Sequence, residues 1–128
     1  MNNVYIMSAN RSAIGGFGGT LKNHCPVDLG TLVAKEAIAR SGYEANEVEH
    51  AVFGNVIHTE PRDMYVSRVI ALQAGMDKAS AALTVNRLCG SGLQAIVSAS
   101  QILMLGDATI AMAGGVAVSY THLRAHET

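Results

Sequence analysis

Two kinds of hydrophobic pattern alternate along the chain: short blocks of strand formers, and longer stretches whose apolar residues recur at helical spacing. Val4 to Ser8 is a block of the first kind and predicts a strand, followed by Gly15-Gly16-Phe17-Gly18-Gly19, a sequence suited only to loop. Asp28 is placed to cap a helix carrying Leu29, Leu32, Val33 and Ala37 on one side, with Gly42 where a left-handed terminator is wanted. His50 to Ile57 predicts a second strand. After the turn Glu60-Pro61-Arg62-Asp63, a second helix sets Tyr65, Val69 and Leu72 on one face before Gly75. Ala82 to Asn86 predicts a third strand, Gly90 to Leu105 a third helix stopped by Gly106, and Ala108 to Ala113 a fourth strand running into Gly114-Gly115.

The resulting order, β-α-β-α-β-α-β, implies an α/β layered fold: mostly parallel strands, right-handed crossovers, and helices covering the sheet. In such sheets functional groups gather beyond the carboxyl ends of the strands. Cys89 lies at such an end, between the third strand and the third helix. That helix is apolar nearly all round, so one sheet layer cannot cover it, and its remainder should drive aggregation or pairing with another copy.

At 128 residues the chain is about one domain long. Hydrophobic residues make up 49% and charged residues 15%, unlike the composition of disordered segments. A formal charge of -1, with nine scattered Lys and Arg residues, gives no field for a nucleic-acid backbone. Met1 to Met7 lacks a positive n-region and a long apolar run, so no signal peptide is expected and a cytoplasmic location is. Two distant cysteines, Cys25 and Cys89, are too few for a disulfide framework. The uncharged stretch from Leu88 to Gly106 has the length of a membrane span. Its content of Cys89, Gly90, Ser91, Gly92, Gln94, Ser98, Ser100 and Gln101 instead suits a helix wrapped by protein, and no membrane partner is expected.

A cysteine in the first turn of a helix faces the unpaired amides of that end, which favour negative sulfur. Gly90 and Gly92 clear side chains from around Cys89, so a carbonyl can approach both the sulfur and backbone N–H groups able to hold an oxyanion. From the residues alone two readings stay open for Cys89: a small buried hydrophobe, or a nucleophile for acyl transfer.

The run Thr84-Val85-Asn86-Arg87-Leu88-Cys89-Gly90-Ser91-Gly92-Leu93-Gln94-Ala95 resembles the nucleophile signature of the thiolases. Arg11 through Leu21 resembles that family's opening segment, and Gly54-Asn55-Val56-Ile57 through Arg68 its second strand and helix. Gly106-Asp107 and Gly114-Gly115 fall in register. Glu60-Pro61-Arg62-Asp63-Met64-Tyr65 is most similar to the short-chain beta-ketothiolase branch.

The resemblance implies an acyltransferase in which Cys89 takes an acyl group from an acyl-coenzyme A or 3-ketoacyl-coenzyme A. The Cys89 N–H would belong to an oxyanion hole, coenzyme A thioesters would be the substrates, no cofactor would be bound, and the full-length protein would be a homo-dimer or homo-tetramer. It also implies that the activating histidine, a second acid/base cysteine, further oxyanion donors and most coenzyme A-binding loops lie outside this sequence, so this chain alone should be inactive. No cofactor-binding residue is assigned here. The alternatives are a non-catalytic truncation product and a related ketoacyl synthase-like condensing enzyme.

Residues 1–115 are thus expected to be an incomplete N-terminal thiolase domain. The thiolase pattern breaks after Gly114-Gly115, and residues 116–128 resemble a translated sequencing adapter, a non-native tail. His122 and His126, four apart, have the spacing of metal ligands but no third ligand, and no metal site is expected. Gly16-Phe17-Gly18-Gly19 lacks the third glycine and the helix of a dinucleotide site. Cys25, ahead of Pro26, reads as an inert loop thiol. His24, His50 and His58 read as ordinary loop or strand-end residues, and Arg62, Asp63 and Arg68 as partners in surface pairs.

Overall fold

The computed structural model describes residues 2–15 and 24–116. Three strands, β1 (His50–Gly54), β2 (Ala81–Val85) and β3 (Ala111–Gly115), form a parallel sheet in the order β2-β1-β3. Helices α1 (Pro26–Ser41), α2 (Val66–Gln73) and α3 (Ser91–Met104) join and cover them, with short 3-10 turns at Ala45–Glu47 and Pro61–Tyr65. The α/β layered reading therefore holds, with β1 at the centre.

Successive residues of a strand face opposite sides of a sheet, and β1 is buried on both. Ala51 and Phe53 join Val27 and Ala34 of α1, Val66, Ile70 and Ala71 of α2, and Met112 in one core. Val52 faces the other side and meets Ala95 and Ala99 of α3. Filling one side with α1 and α2 and the other with α3 is what gives β1 its continuous apolar run. Full burial of Ile70 alone contributes about 1.5–3 kcal/mol.

Three expectations need correction. Val4 to Ser8 is not a strand; it runs as an irregular segment along α1, with the Ser8 hydroxyl donating to Ala37 O at 2.7 Å and Asn10 Nδ2 to Val33 O at 3.2 Å. Strand formers become a strand only against a neighbouring ladder. This segment is held to α1 and not to the outer edge of β2 or β3, and Tyr5 and Ile6 stay 73% and 79% exposed.

Secondly, Asp28 does not cap α1. The helix opens with Pro26, whose fixed φ suits the first helical position, so Cys25 is the cap and Asp28 falls in the first turn. It ends at Gly42 in the left-handed conformation (φ 81°), as expected.

Thirdly, α2 buries Val66, Ser67, Ile70 and Ala71, whereas Tyr65 and Leu72 of the expected face are exposed. The turn Pro61–Tyr65 is spent as 3-10 helix, and small residues let α2 sit close to the sheet. The Ser67 hydroxyl accepts Phe53 N–H (2.8 Å) and donates to Leu83 O (2.7 Å). The parallel register of β1 and β2 sets that N–H and that carbonyl opposite each other, so one side chain of α2 touches both strands at the same height.

Helix α3 buries only Ser91, Ala95 and Ala99; Leu93, Ile96, Val97 and Leu105 are exposed, as the all-round apolar pattern implied for a single layer. None of the described helices is long and apolar enough to cross a membrane. Val116 continues the sheet, donating to Gly54 O at 3.0 Å, and is buried. Residues 117–128, including His122 and His126, lie outside the described residues, as do Gly16 to Gly19.

Candidate active site

The start of α3 rests on the carboxyl ends of the strands. A Cβ on Gly54 would lie 2.6 Å from the Ser91 carbonyl carbon and oxygen, and one on Gly115 would lie 3.2 Å from Gly92 Cα. Only glycines at the ends of β1 and β3 permit this approach. Ser91, 4% exposed, is wedged against Gly54.

Between the end of β2 and this wedge the chain must reverse within a few residues. Leu88 does so at φ 49°, the only non-glycine with positive φ among the described residues, at a cost of about 1–2 kcal/mol. Side chains hold it on both sides. Asn86 Oδ1 accepts Leu88 N–H at 3.0 Å, while the Ser91 hydroxyl accepts Arg87 N–H at 2.7 Å and donates to Leu88 O at 2.6 Å. Asn86 Nδ2 also reaches Val56 O at 3.4 Å, joining the turn to the loop after β1.

Cys89 crowns this turn with an exposed thiol. It does not occupy the first turn of the helix, as expected, but precedes the cap Gly90 by one residue. The strained turn takes up one residue more than the helical pattern allowed. Gly90 N–H and Ser91 N–H bond back to Arg87 O and Leu88 O, and Gln94 N–H closes the first helical bond onto Gly90 O. The Cys89 N–H makes no such bond among the described residues, and it belongs to the same residue as the exposed sulfur. An exposed sulfur, an available amide and the positive end of a helix form an arrangement suited to attack on a carbonyl.

The other candidates stay apart from it. Cys25 is half-buried, and burial followed by its hydrogen bond with Asp28 pushes its thiol above the ordinary value; the Arg62 guanidinium approaches it to 3.8 Å. A protonated thiol is a poor nucleophile, in keeping with an inert role. Arg62 pairs with Glu60 at 3.0 Å. Asp63 and Arg68 form no surface pair. Asp63 is fully buried, and its Oδ2 accepts Thr59 N–H, Thr59 O–H and Glu60 N–H; Arg68 donates to Ser80 O and Lys78 O. His58 Nδ1 lies 3.1 Å from Asn55 Nδ2, and His24 is exposed. No group of three or more His, Cys, Asp or Glu side chains among the described residues could hold a metal. The main cleft among them, about 1030 Å³, opens between the N-terminal segment, α1, α3 and β3, and Cys89 is not on its wall. Its lining is largely apolar and holds no cysteine, histidine or carboxylate, so it marks uncovered packing surface rather than the chemistry.

The sequence pattern pointed to Cys89 but not to Asn86, Ser91 or Gly54. Asn86 has a local signature, because an Asn side chain commonly accepts the amide two residues on. The roles of Ser91 and Gly54 arise only when strand end and helix start are brought together.

Comparison with known proteins decides the family. The model for "Thiolase, N-terminal domain" matches residues 4–125. This chain belongs to the thiolase family.

Among thiolases it is 57% identical over 112 residues to the Beta-ketothiolase BktB of Cupriavidus necator, which covers 88% of this chain and 28% of that protein. It is 35% identical over 115 residues to the mitochondrial 3-ketoacyl-CoA thiolase of Bos taurus, 90% of this chain and 29% of that one. Its fold matches the crystal structure of the Bacillus anthracis acetyl-CoA acetyltransferase with a TM-score of 0.81 at 41% identity, over 86% of this chain and 28% of the other. The chain therefore spans between a quarter and a third of the length of the thiolases it matches.

Proposed function

We propose that these residues belong to a coenzyme A-dependent acyltransferase of thiolase type, forming or cleaving 3-ketoacyl-coenzyme A through an acyl group on Cys89. The supporting observation is the exposed Cys89 thiol on a strained turn, with its own amide available and a helix start behind it. In the first half-reaction the sulfur bonds to the thioester carbonyl carbon, and the carbonyl electrons move onto oxygen beside the Cys89 N–H. Collapse breaks the bond to the coenzyme A sulfur. Coenzyme A leaves as a thiol, taking up the proton that Cys89 loses, and the acyl group remains on Cys89. To form 3-ketoacyl-coenzyme A, the α-carbon of deprotonated acetyl-coenzyme A then attacks the Cys89 thioester and the Cys89 sulfur leaves; to cleave it, the Cys89 sulfur attacks the 3-keto carbon, the C2–C3 bond breaks, acetyl-coenzyme A leaves with a proton on C2, and coenzyme A takes the acyl group from Cys89.

The chain spans 28% of the beta-ketothiolase it matches, and the histidine and second cysteine that this chemistry needs are not assigned to any of its residues. Turnover thus belongs to a longer, homo-oligomeric cytoplasmic protein, and this chain by itself is inactive. The test is mass spectrometry of the longest native reading frame containing these residues after exposure to acetyl-coenzyme A. An acetyl group should appear on the peptide containing Cys89; its absence would refute the assignment.

A second reading, that the isolated chain is a non-catalytic product that self-associates, is favoured by the outward face of α3, where Leu93 and Leu105 are 70% and 77% exposed. Sedimentation distinguishes it, since a well-behaved monomer with a sharp unfolding transition would contradict it.

A further inference from the structure

We infer that Ser91 is a positioning residue for the acyl-transfer step. Its hydroxyl holds the Leu88 turn in the left-handed conformation and so fixes where the Cys89 amide points relative to the Cys89 sulfur. The inference rests on the acyltransferase reading above.

Three observations carry it. Leu88 at φ 49° is an expensive conformation for a residue with a Cβ, and it persists only if its surroundings over-determine it. One buried oxygen spans the turn: Ser91 Oγ accepts Arg87 N–H, from the peptide before the turn, at 2.7 Å and donates to Leu88 O, in the Leu88–Cys89 peptide, at 2.6 Å, while Asn86 Oδ1 accepts Leu88 N–H between them at 3.0 Å. That oxygen cannot drift, because Ser91 is wedged against Gly54 at the end of the central strand. A hydroxyl is the smallest group that both accepts and donates. Alanine can do neither, whereas threonine keeps both functions and adds only a methyl.

The Leu88–Cys89 peptide carries the Cys89 N–H. Rotating it changes the direction of that donor without moving the sulfur out of solvent. The step that needs sulfur and amide together should therefore suffer, while a step that needs only the sulfur should not. Attack on a thioester belongs to the first kind, since the developing oxyanion must meet a placed donor. Displacement of iodide from iodoacetamide belongs to the second.

The experiment compares these two rates at Cys89 in the longest native reading frame containing these residues: acetylation by acetyl-coenzyme A, and alkylation by iodoacetamide. Both are read by mass spectrometry of the Cys89 peptide, with Cys25 alkylation as an internal gauge of folding. Ser91→Ala is expected to lower the ratio of acetylation to alkylation about tenfold, the scale of a sub-ångström misplacement. Ser91→Thr should restore the ratio to within about threefold. Asn86→Ala releases the other side of the turn from an exposed position and should lower the ratio more modestly, so it decides the matter if Ser91→Ala does not fold.

A ratio indifferent to both Ser91→Ala and Asn86→Ala overturns the inference. So does a parallel fall of both rates with a rise at Cys25, which would mark Ser91 as a fold-holding residue only. An unsubstituted protein whose Cys89 takes no acetyl group refutes the acyltransferase reading itself. One that is acetylated regardless of Ser91 refutes only the positioning role.

Discussion

Both cysteines of the chain stand at the start of a helix, and they differ in almost everything else. Cys25 is the cap of α1, half-buried between Asp28 and the Arg62 guanidinium, with its thiol pushed upward by burial and by Asp28. Cys89 stands one residue before the cap of α3, exposed, on a turn whose backbone is strained and clamped. A helix start supplies partial positive charge in both places. What separates them is whether the local backbone lifts the sulfur into solvent with an amide beside it, or folds it under a neighbouring carboxylate.

The largest effect on this contrast should come from Gly54, because Ser91, which clamps the strained Leu88 turn, is seated there. Gly54→Ala places a Cβ within 2.6–2.8 Å of Ser91 atoms, two of them backbone, that cannot swing aside. We expect a loss of about 1–3 kcal/mol in chemical denaturation, the range for overpacking, with the site at Cys89 disturbed and that at Cys25 spared. An unchanged midpoint would show that the close seat is not real.

Leu88→Gly tests the strain directly. Removing the Cβ relieves the cost of φ 49° and should raise stability by up to about 1 kcal/mol, less the added freedom of glycine in the unfolded chain. It should also lower the acetylation of Cys89, since glycine lets the turn wander. A destabilised Leu88→Gly protein would mean that the exposed leucine side chain matters more than its backbone.

The smallest effect concerns Cys25 and pH. Its folded-state value is raised, so the folded protein resists losing this proton while the unfolded chain does not. The thiol's contribution is therefore intact below the unfolded value of about 9 and is lost as pH rises through the folded one. Thermal midpoints should fall slightly on the alkaline side, and Cys25→Ser should flatten that fall. The same shift predicts that iodoacetamide modifies Cys89 faster than Cys25 near neutrality and that the gap narrows as pH rises; equal rates at pH 7 would erase the contrast.

The sheet's centre and the position of the nucleophile were legible in the sequence because local pattern encodes them. Ala51 to Gly54 is an unbroken apolar run because both its faces are covered, and Gly42 marks the end of α1 by its own backbone preference. The family signature around Cys89 placed it at the junction of strand and helix. Val4 to Ser8 misled because strand formers say nothing about whether a segment will pair with a strand or, as here, lie along α1. The face of α2 misled because Pro61 diverts the first turn into a 3-10 helix, after which Ser67 and Ala71, not the larger Tyr65 and Leu72, meet the sheet. Cys89 was placed one residue too deep because a helical pattern cannot register a left-handed residue such as Leu88. Gly54 and Ser91, 37 positions apart, define the seat of the site only through contact.

The Ser67 hydroxyl accepts Phe53 N–H and donates to Leu83 O, so at that height β1 and β2 are tethered to α2 as well as to each other. Two residues further on β2 ends and the approach to Leu88 begins. With Ser67 N–H donating to Thr84 Oγ1 at 3.2 Å as well, a single residue of α2 fixes the last residues of the strand from which that approach departs.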